Sequence, residues 1–514
     1  MAKRKTKAKT QDTQEQLPSE FYSEKQSGRS QYEDRAKLIA GLTLPYVIRE
    51  DSDTGTTKMK DSTSQSYGGR LVNTLKAKMG MALLPPSTSS FRYVPKPEEL
   101  QALTQGSPDN IAKVYQALSQ NVATVNAEIE LQQIRSSLFD VITQLLIVGS
   151  VIVEKKPKKG VMIHPLLTFV VDLDEMGVPV RMCFVENIKV LPEGVVPKEE
   201  ADEYKLYTMA VMDKKTLGWT VTQEIEQEIV GKTLTYKNYD ELPFRYLGWT
   251  WMVGDDYHRP FTEDYFQDLQ QLDKIAKLLT DGAIVSAKML LFVNERGGRT
   301  RKDDVAESEN GDVVDGSADD VSALQIQKNF DFQVPMEREQ NLKKELSQAF
   351  LMNESVTRDA ERVTAQEIRF MAQELETSSL AGIYSKLSLQ WSKWIIQQIM
   401  LELKIKFEVI EVEILTGLDA LGRSQEAQKL DALVMRAEQL GLRHWFKDSE
   451  LLNRYASYES VNPVNLMKTP KEVEAEMAKM KAQQAGQIAD EAMGQAAGQA
   501  AGEQVGGQPA QPQQ

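Results

Sequence analysis

A single cysteine, Cys183, stands in 514 residues. An intramolecular disulfide is therefore excluded, and so is a zinc site built on several thiolates. A reducing compartment is the natural setting. Histidine is nearly as scarce. His164, His258 and His444 lie far apart with no H-E-x-x-H pair, so histidine-rich metal catalysis is not expected. No apolar run is long enough for a bilayer span, which takes about 20 residues. The most apolar stretch, Leu138 to Val153, is interrupted by Asp140, Thr143 and Gln144 and reads as a buried helix running into a strand. Cations are outnumbered: 61 Lys+Arg stand against 75 Asp+Glu, a formal net charge of −14. Such a chain is not built to grip nucleic acid over a broad surface, which needs clustered cations. The cationic start, Met1 to Thr10, precedes no apolar stretch and so does not read as a secretory signal.

What is present suffices for a folded protein. Hydrophobic residues make up 41% and charged residues 26%, so wholesale disorder is excluded. At roughly 100–200 residues per domain the length suggests three or four structural units. Short helices are expected at 30–48 and 67–84. In the second, Leu71, Leu75, Met79 and Leu83 recur at i+4 and Pro85-Pro86 stops it. A helical stretch from Asp109 to Val148 is expected to break near Leu131–Arg135. From Val151 to Thr250, β-branched and aromatic residues alternate with polar ones between glycines, which predicts a β-rich module of hairpins.

Helix returns at Phe261 and extends to about Met289, roughly 40 Å at 1.5 Å per residue. The polar stretch Glu295 to Asp320 begins basic and turns acidic. Short apolar runs bracket it, which suggests a small projecting module. Pro335 opens a second helix with Leu342, Leu346, Ala349 and Phe350 on one face. Thr364-Ala-Gln-Glu367 forms a capping box. The helix it opens is expected to run to about Leu403, about 60 Å, interrupted only by Gly382. A strand at Lys406–Leu415 and helices near 424–440, 446–457 and 470–482 follow. The Ala/Gly/Gln-rich end from about Ala482 is expected to be disordered. The fold class is α+β.

Chemistry-bearing motifs are weak. Gly417-Leu-Asp-Ala-Leu-Gly-Arg-Ser424 has the spacing of a phosphate-binding loop, but Arg423 stands where Lys is needed. It reads as a strand-to-helix turn, with a degenerate nucleotide site as the alternative. Asp172-Leu-Asp174 reads as a hairpin turn rather than a metal site. Gly254-Asp-Asp-Tyr-His258 reads as a loop into the long helix. His164, His444 and Cys183 read as structural. No catalytic residue, metal site or cofactor is expected, which favours a structural or binding protein over an enzyme.

Three segments carry a resemblance. They are Phe350-Leu-Met-Asn-Glu-Ser-Val-Thr-Arg-Asp-Ala-Glu-Arg-Val-Thr-Ala-Gln-Glu-Ile-Arg369 with its helix to Trp391, Leu415–Arg423, and Tyr67–Pro85. The chain from about 30 to 440 resembles the portal (head-to-tail connector) proteins of short-tailed, T7-like bacteriophages. It departs at Gly254–Phe261, with His258 and Pro260, and in the insertion 295–320.

The resemblance implies an elongated portal-type subunit with wing, two-helix stem, clip, long tunnel/wing helix and α-helical crown. Its parts would be a disordered basic arm (1–28), a wing that is helical then β-rich (29–260), and stem helix 1 (261–289). The clip (290–333), stem helix 2 (334–352), a tunnel loop (353–363) and the long wing helix with its strand (364–423) would follow. A crown (424–481) and a disordered tail (482–514) would end the chain. It also implies a homododecameric ring at one capsid vertex, the portal vertex of the virion, assembled in the host cytoplasm. Double-stranded DNA would pass through it, and terminase, a tail adaptor and the major capsid and scaffold proteins would be partners. No membrane is implied in the free state, and hydrolysis would belong to the separate terminase.

A channel that gripped DNA would stall it, since each phosphate contact adds affinity. Arg358, Arg362, Lys343 and Lys344 are the candidate channel cations. Arg296, Arg299, Arg301, Asp303 and Asp304 are candidates for the terminase or tail interface, and Thr364 with Glu367 is the structural helix cap. A nucleotide-dependent enzyme using 417–424, or a non-portal capsid or scaffold component, is the alternative.

Overall fold

The computed structural model describes residues 16–48, 63–86, 89–96, 108–192, 201–287, 290–293, 321–324, 332–352, 365–405, 410–415 and 430–442, with isolated positions 98, 195, 301, 303, 307, 446 and 451. The chain divides into two compact units. One is Met1–Pro95 with Val122–Leu418, the other Lys96–Asn121 with Asp419–Gln514. Residues 96–121, expected within the wing, therefore group with the C-terminal part. Local periodicity finds a helix but not the unit it joins. In the second unit, helix is described at 430–439. Of the expected helix at 446–457 only positions 446 and 451 are described, and the expected helix at 470–482, the C-terminal tail and the 417–424 turn lie outside the described residues.

In the first unit, helix α1 (Pro18–Leu42) corrects the expected start at residue 30 and the expected disordered arm to residue 28. Pro18 at the first helical position supplies a preset φ. Phe21 and Tyr22 then pack in one core with Val170, Cys183 and Met209. Burying each aromatic is worth about 1.5–3 kcal/mol, which anchors a polar segment that periodicity alone leaves unassigned. Arg29 Nη1 donates to Phe169 O at 2.6 Å, and Lys25 pairs with Asp172 at 2.6 Å. Cys183 is buried, and burial pushes its thiol up.

Helix α2 (Tyr67–Leu83) buries Leu71, Leu75, Met79 and Leu83, the expected stripe. Gly80 lets the Phe139 ring approach: a Cβ there would stand 2.5 Å from it. Strand β1 (Phe91–Pro95) precedes α3 (Pro108–Leu131) and α4 (Ile134–Ile147). The break between these helices falls at the expected place, with Gln133 at φ 53°. Helix α4 runs through Gly149 directly into β2 (Ser150–Lys156), as the apolar run predicts.

The β-rich module forms two antiparallel sheets. β3 (Gly160–His164), β2 and β9 (Phe244–Gly248) make a three-stranded sheet in the order β3-β2-β9. β4 (Phe169–Leu173), β5 (Pro179–Ile188), β6 (Tyr204–Met212), β7 (Trp219–Ile225) and β8 (Glu228–Tyr236) make the other, in sequence order. Neighbour-to-neighbour hairpins explain why local alternation was legible here. Asp174 accepts from the backbone N–H groups of Met176 and Val178 at 2.8 Å, so the Asp172-Leu-Asp174 motif is a hairpin turn.

Helix α5 (Phe266–Ala287), the ladder of β10 (Leu290–Val293) with β11 (Val321–Leu324), and α6 (Gln333–Ala349) follow. The expected long helix is instead segmented. It comprises α7 (Ala365–Thr377), α8 (Ala381–Leu387), a π-helical turn (Ser388–Lys393) and α9 (Trp394–Glu402). The interruption precedes Gly382. Thr377 Oγ1 donates to Gln373 O and Ser378 Oγ to Leu375 O, both at 2.8 Å, while Leu380 N donates to Ser378 Oγ at 3.2 Å. These hydroxyls offer the backbone an alternative to the helical ladder. Strand β12 (Ile410–Ile414) pairs antiparallel with the distant β1, from Phe91↔Ile414 to Pro95↔Ile410.

Candidate functional site

Helices α5 and α6 pack antiparallel. Phe350, just past α6, packs edge-to-face on Phe261 and tilted against Tyr265, with centroids 4.9 and 5.4 Å apart. Arg338 Nη2 donates to Gln271 Oε1 at 3.4 Å. At the far end, a Cβ on Gly282 would stand 2.3 Å from the Phe332 ring, so glycine permits close approach there. Beyond that end, Leu290↔Leu324 through Val293↔Val321 close an antiparallel ladder. The chain from 294 to 320 therefore leaves and returns at one place. Arg301 and Asp303 are exposed in it. Arg296, Arg299 and Asp304 lie outside the described residues.

On α6, Leu342 and Leu346 face the core. At 100° per residue Lys344 points away from that stripe, and it is exposed. Lys343 is engaged within the subunit. It pairs with Glu339 at 2.6 Å and lies 5.9 Å over the Tyr67 ring, while Tyr67 Oη donates to Lys343 O at 2.9 Å. Arg358, Arg362 and Thr364 lie outside the described residues. Glu367 is exposed in the first turn of α7, which opens at Ala365.

A residue not singled out in the sequence joins both flanks of 353–364. Lys78, on α2, is 3% exposed. Its Nζ donates to Leu351 O at 2.5 Å and to Glu374 Oε2 on α7 at 2.7 Å. One buried ammonium thus fixes the chain where it leaves α6 and again where α7 is under way. The signal was available. Lys78 occupies the same helical face as Leu71, Leu75 and Ala82, where a lysine must find a buried partner.

A second buried network holds the root of α5. Ser150 Oγ and Tyr246 Oη are 3.0 Å apart, Tyr246 Oη and His258 Nδ1 are 3.0 Å apart, and His258 N donates to Ser150 Oγ at 2.9 Å. Thr262 Oγ1 donates to Leu146 O at 2.7 Å. Burial, reinforced by the Lys386 ammonium, pushes the His258 imidazole down to about 3. Burial likewise lowers Lys386 to about 8, and its Nζ donates to Gly248 O at 2.8 Å and Trp249 O at 3.2 Å. His258 is thus a neutral structural histidine. Asp255 pairs instead with Arg259 at 3.4 Å.

Among the described residues, Glu154, His164 and Glu186 are the group whose donor atoms converge closely enough for a metal. Lys156 Nζ already sits there, 2.8 Å from Glu154 and 3.2 Å from Glu186. Burial would raise the Glu154 carboxyl, yet hydrogen bonds and charge from His164 and Lys156 hold it below its usual range. The arrangement reads as an internal ion-pair network with the cation supplied by the chain.

A family model described as bacteriophage head to tail connecting protein matches residues 16–409. The portal protein of Escherichia phage T7 is 30% identical over 436 residues, covering 80% of each chain. The portal protein of Enterobacteria phage SP6 is 28% identical over 485 residues, 90% of this chain and 92% of its own. Among solved structures, a chain from the neck of an empty gene transfer agent particle aligns with a TM-score of 0.37 and 10% identity, over 74% of this chain and 90% of its own.

Proposed function

Since the chain belongs to the bacteriophage head-to-tail connecting proteins, we propose that it works as a portal subunit: twelve copies form a ring at one capsid vertex, and DNA is packaged and ejected through its centre. Its partners are further copies of itself, double-stranded DNA, a terminase, a tail adaptor and the major capsid and scaffold proteins. The ring assembles in the host cytoplasm and stays in the virion. It performs no catalysis of its own.

The paired helices α5 and α6 serve as the stem, with the β10–β11 ladder and 294–320 as the clip. The clip meets terminase or tail through Arg296, Arg299, Arg301, Asp303 and Asp304. The segment 353–363 is the tunnel loop, and Arg358, Arg362 and the outward Lys344 supply sparse cations to the DNA path. Lys343 contributes less there, because Glu339 already meets its charge. The observation that carries this reading is the Lys78 clamp. A loop that rides on moving DNA needs fixed roots, and one buried ammonium holds both of its flanks. The acidic balance of −14 fits a channel through which DNA slides without being held.

Electron microscopy of the purified protein tests the ring. Twelve subunits of 57.9 kDa give particles of about 0.7 MDa with a central hole and closed cyclic symmetry. A strictly monomeric protein at high concentration refutes it. Arg358→Ala with Arg362→Ala should leave rings intact and change DNA retention or ejection. Unchanged packaged length and retention would refute the loop assignment.

A further inference from the structure

Two surface features remain unused by this reading, and they lie at opposite ends of β5. The first is the turn joining β4 to β5. Gly177 seats it on Trp251, since a Cβ there would stand 2.7 Å from the indole. Around this junction large apolar side chains face solvent: Met176 is 81% exposed and Val253 86%, with Met252 and Val178 beside them. Asp174 and Glu175 border them and are exposed. Exposed apolar clusters of this kind mark interaction sites.

The second is the β2–β3 hairpin. Lys156, in the last pair before its turn, pairs with Glu186, near the other end of β5. The tip carries exposed Lys158 and Lys159. Glu402 accepts from Lys155 Nζ at 2.9 Å and from Lys158 N at 2.6 Å, which brings exposed Lys404 alongside. Gly160 abuts Gln132 O, placing Leu131, 77% exposed, next to the same tip. This end is basic and apolar.

We propose that the acidic, apolar turn of one copy docks on the basic, apolar hairpin of the next. The two patches complement each other in charge and both offer apolar surface. Along β5 they are separated by the seven residue steps from Pro179 to Glu186, about 23 Å at 3.3 Å per residue. One copy cannot join its own two patches across that distance, so the partner is a second copy. A contact between different patches is heterologous, and such contacts close into rings when the rotation allows. The inference rests on the ring reading above and adds which surfaces meet.

Zero-length carbodiimide cross-linking of the full-length protein, followed by peptide mass spectrometry, tests it. The expected product joins Lys158 or Lys159 to Asp174 or Glu175 and appears only in the oligomer band. A second measurement uses Met176→Lys with Val253→Lys, which sets cations against the basic hairpin. Both positions are exposed, so circular dichroism should be unchanged. The concentration for half-assembly should rise by about tenfold or more, as for truncating one strong interface contact. Rings that give other inter-copy links but not this one overturn the contact alone. So do variant rings that assemble at the wild-type concentration. A protein that forms no oligomer overturns both the contact and the ring.

Discussion

Lys78→Met keeps the length and packing of the side chain and removes its charge. In the wild type the ammonium satisfies Leu351 O and Glu374 together. Removing one partner of a buried pair costs about 3–5 kcal/mol, because the other charge is left behind. Glu374 retains 18% side-chain exposure, so water recovers part of its solvation. The expected loss is therefore about 2–4 kcal/mol. It should be local as well as global. Amide exchange should speed up in 346–352 and 371–377, the two flanks, while β4–β7 keep their protection. Adding Glu374→Gln removes the charge that Lys78 offsets, so the double variant should recover part of the loss. Thermal melting gives the global cost, and exchange mass spectrometry gives its location. An unchanged melting point with unchanged exchange in both flanks would refute the clamp. So would a double variant less stable than Lys78→Met alone.

A chain beginning at Arg29 should lose roughly 3–6 kcal/mol through Phe21 and Tyr22, and its Cys183 should react with thiol reagents that the full chain resists. Gly149→Ala should destabilise by more than about 2 kcal/mol, measured by denaturant unfolding. It stands at φ +91°, and its Cβ would meet His258 O at 2.4 Å. His258 is neutral in the fold down to about pH 3 but protonates near 6.5 when unfolded. The unfolded chain therefore holds the extra proton between these values. The contribution is full above pH 6.5 and is lost as pH falls toward 3, by roughly 2–5 kcal/mol. His258→Gln should flatten the melting profile between pH 6.5 and 4, and an equally steep profile would contradict the assignment.

Elements set by neighbours along the chain could be read from the residue pattern. The α2 stripe, the break at Gln133, the passage from α4 into β2 and the successive hairpins β4 to β8 all rest on residues a few positions apart. Periodicity of 3.6 or 2 reports such elements directly. The polar excursion between Val293 and Val321 was legible because two apolar runs bracket it. The long motif from Phe350 pointed to the family without any geometry.

Tertiary structure alone decided the rest. Nothing local pairs Phe91–Pro95 with Ile410–Ile414. The residues from Pro18 to Gly28 look solvated until Val170 and Met209 cover Phe21 and Tyr22. The long helix has an apolar stripe interrupted in the sequence only by Gly382, yet the serine and threonine hydroxyls at 377–378 and the π-helical turn at Ser388–Lys393 divide it. Lys78 could be seen as a lysine on an apolar face, but not which groups it would satisfy. His258 could be seen as a lone histidine, but not that burial would keep it neutral. The physical reason is common to all of these. A buried charge, hydroxyl or backbone group must be satisfied by something close in space, and the chain brings that partner from hundreds of residues away only when it folds.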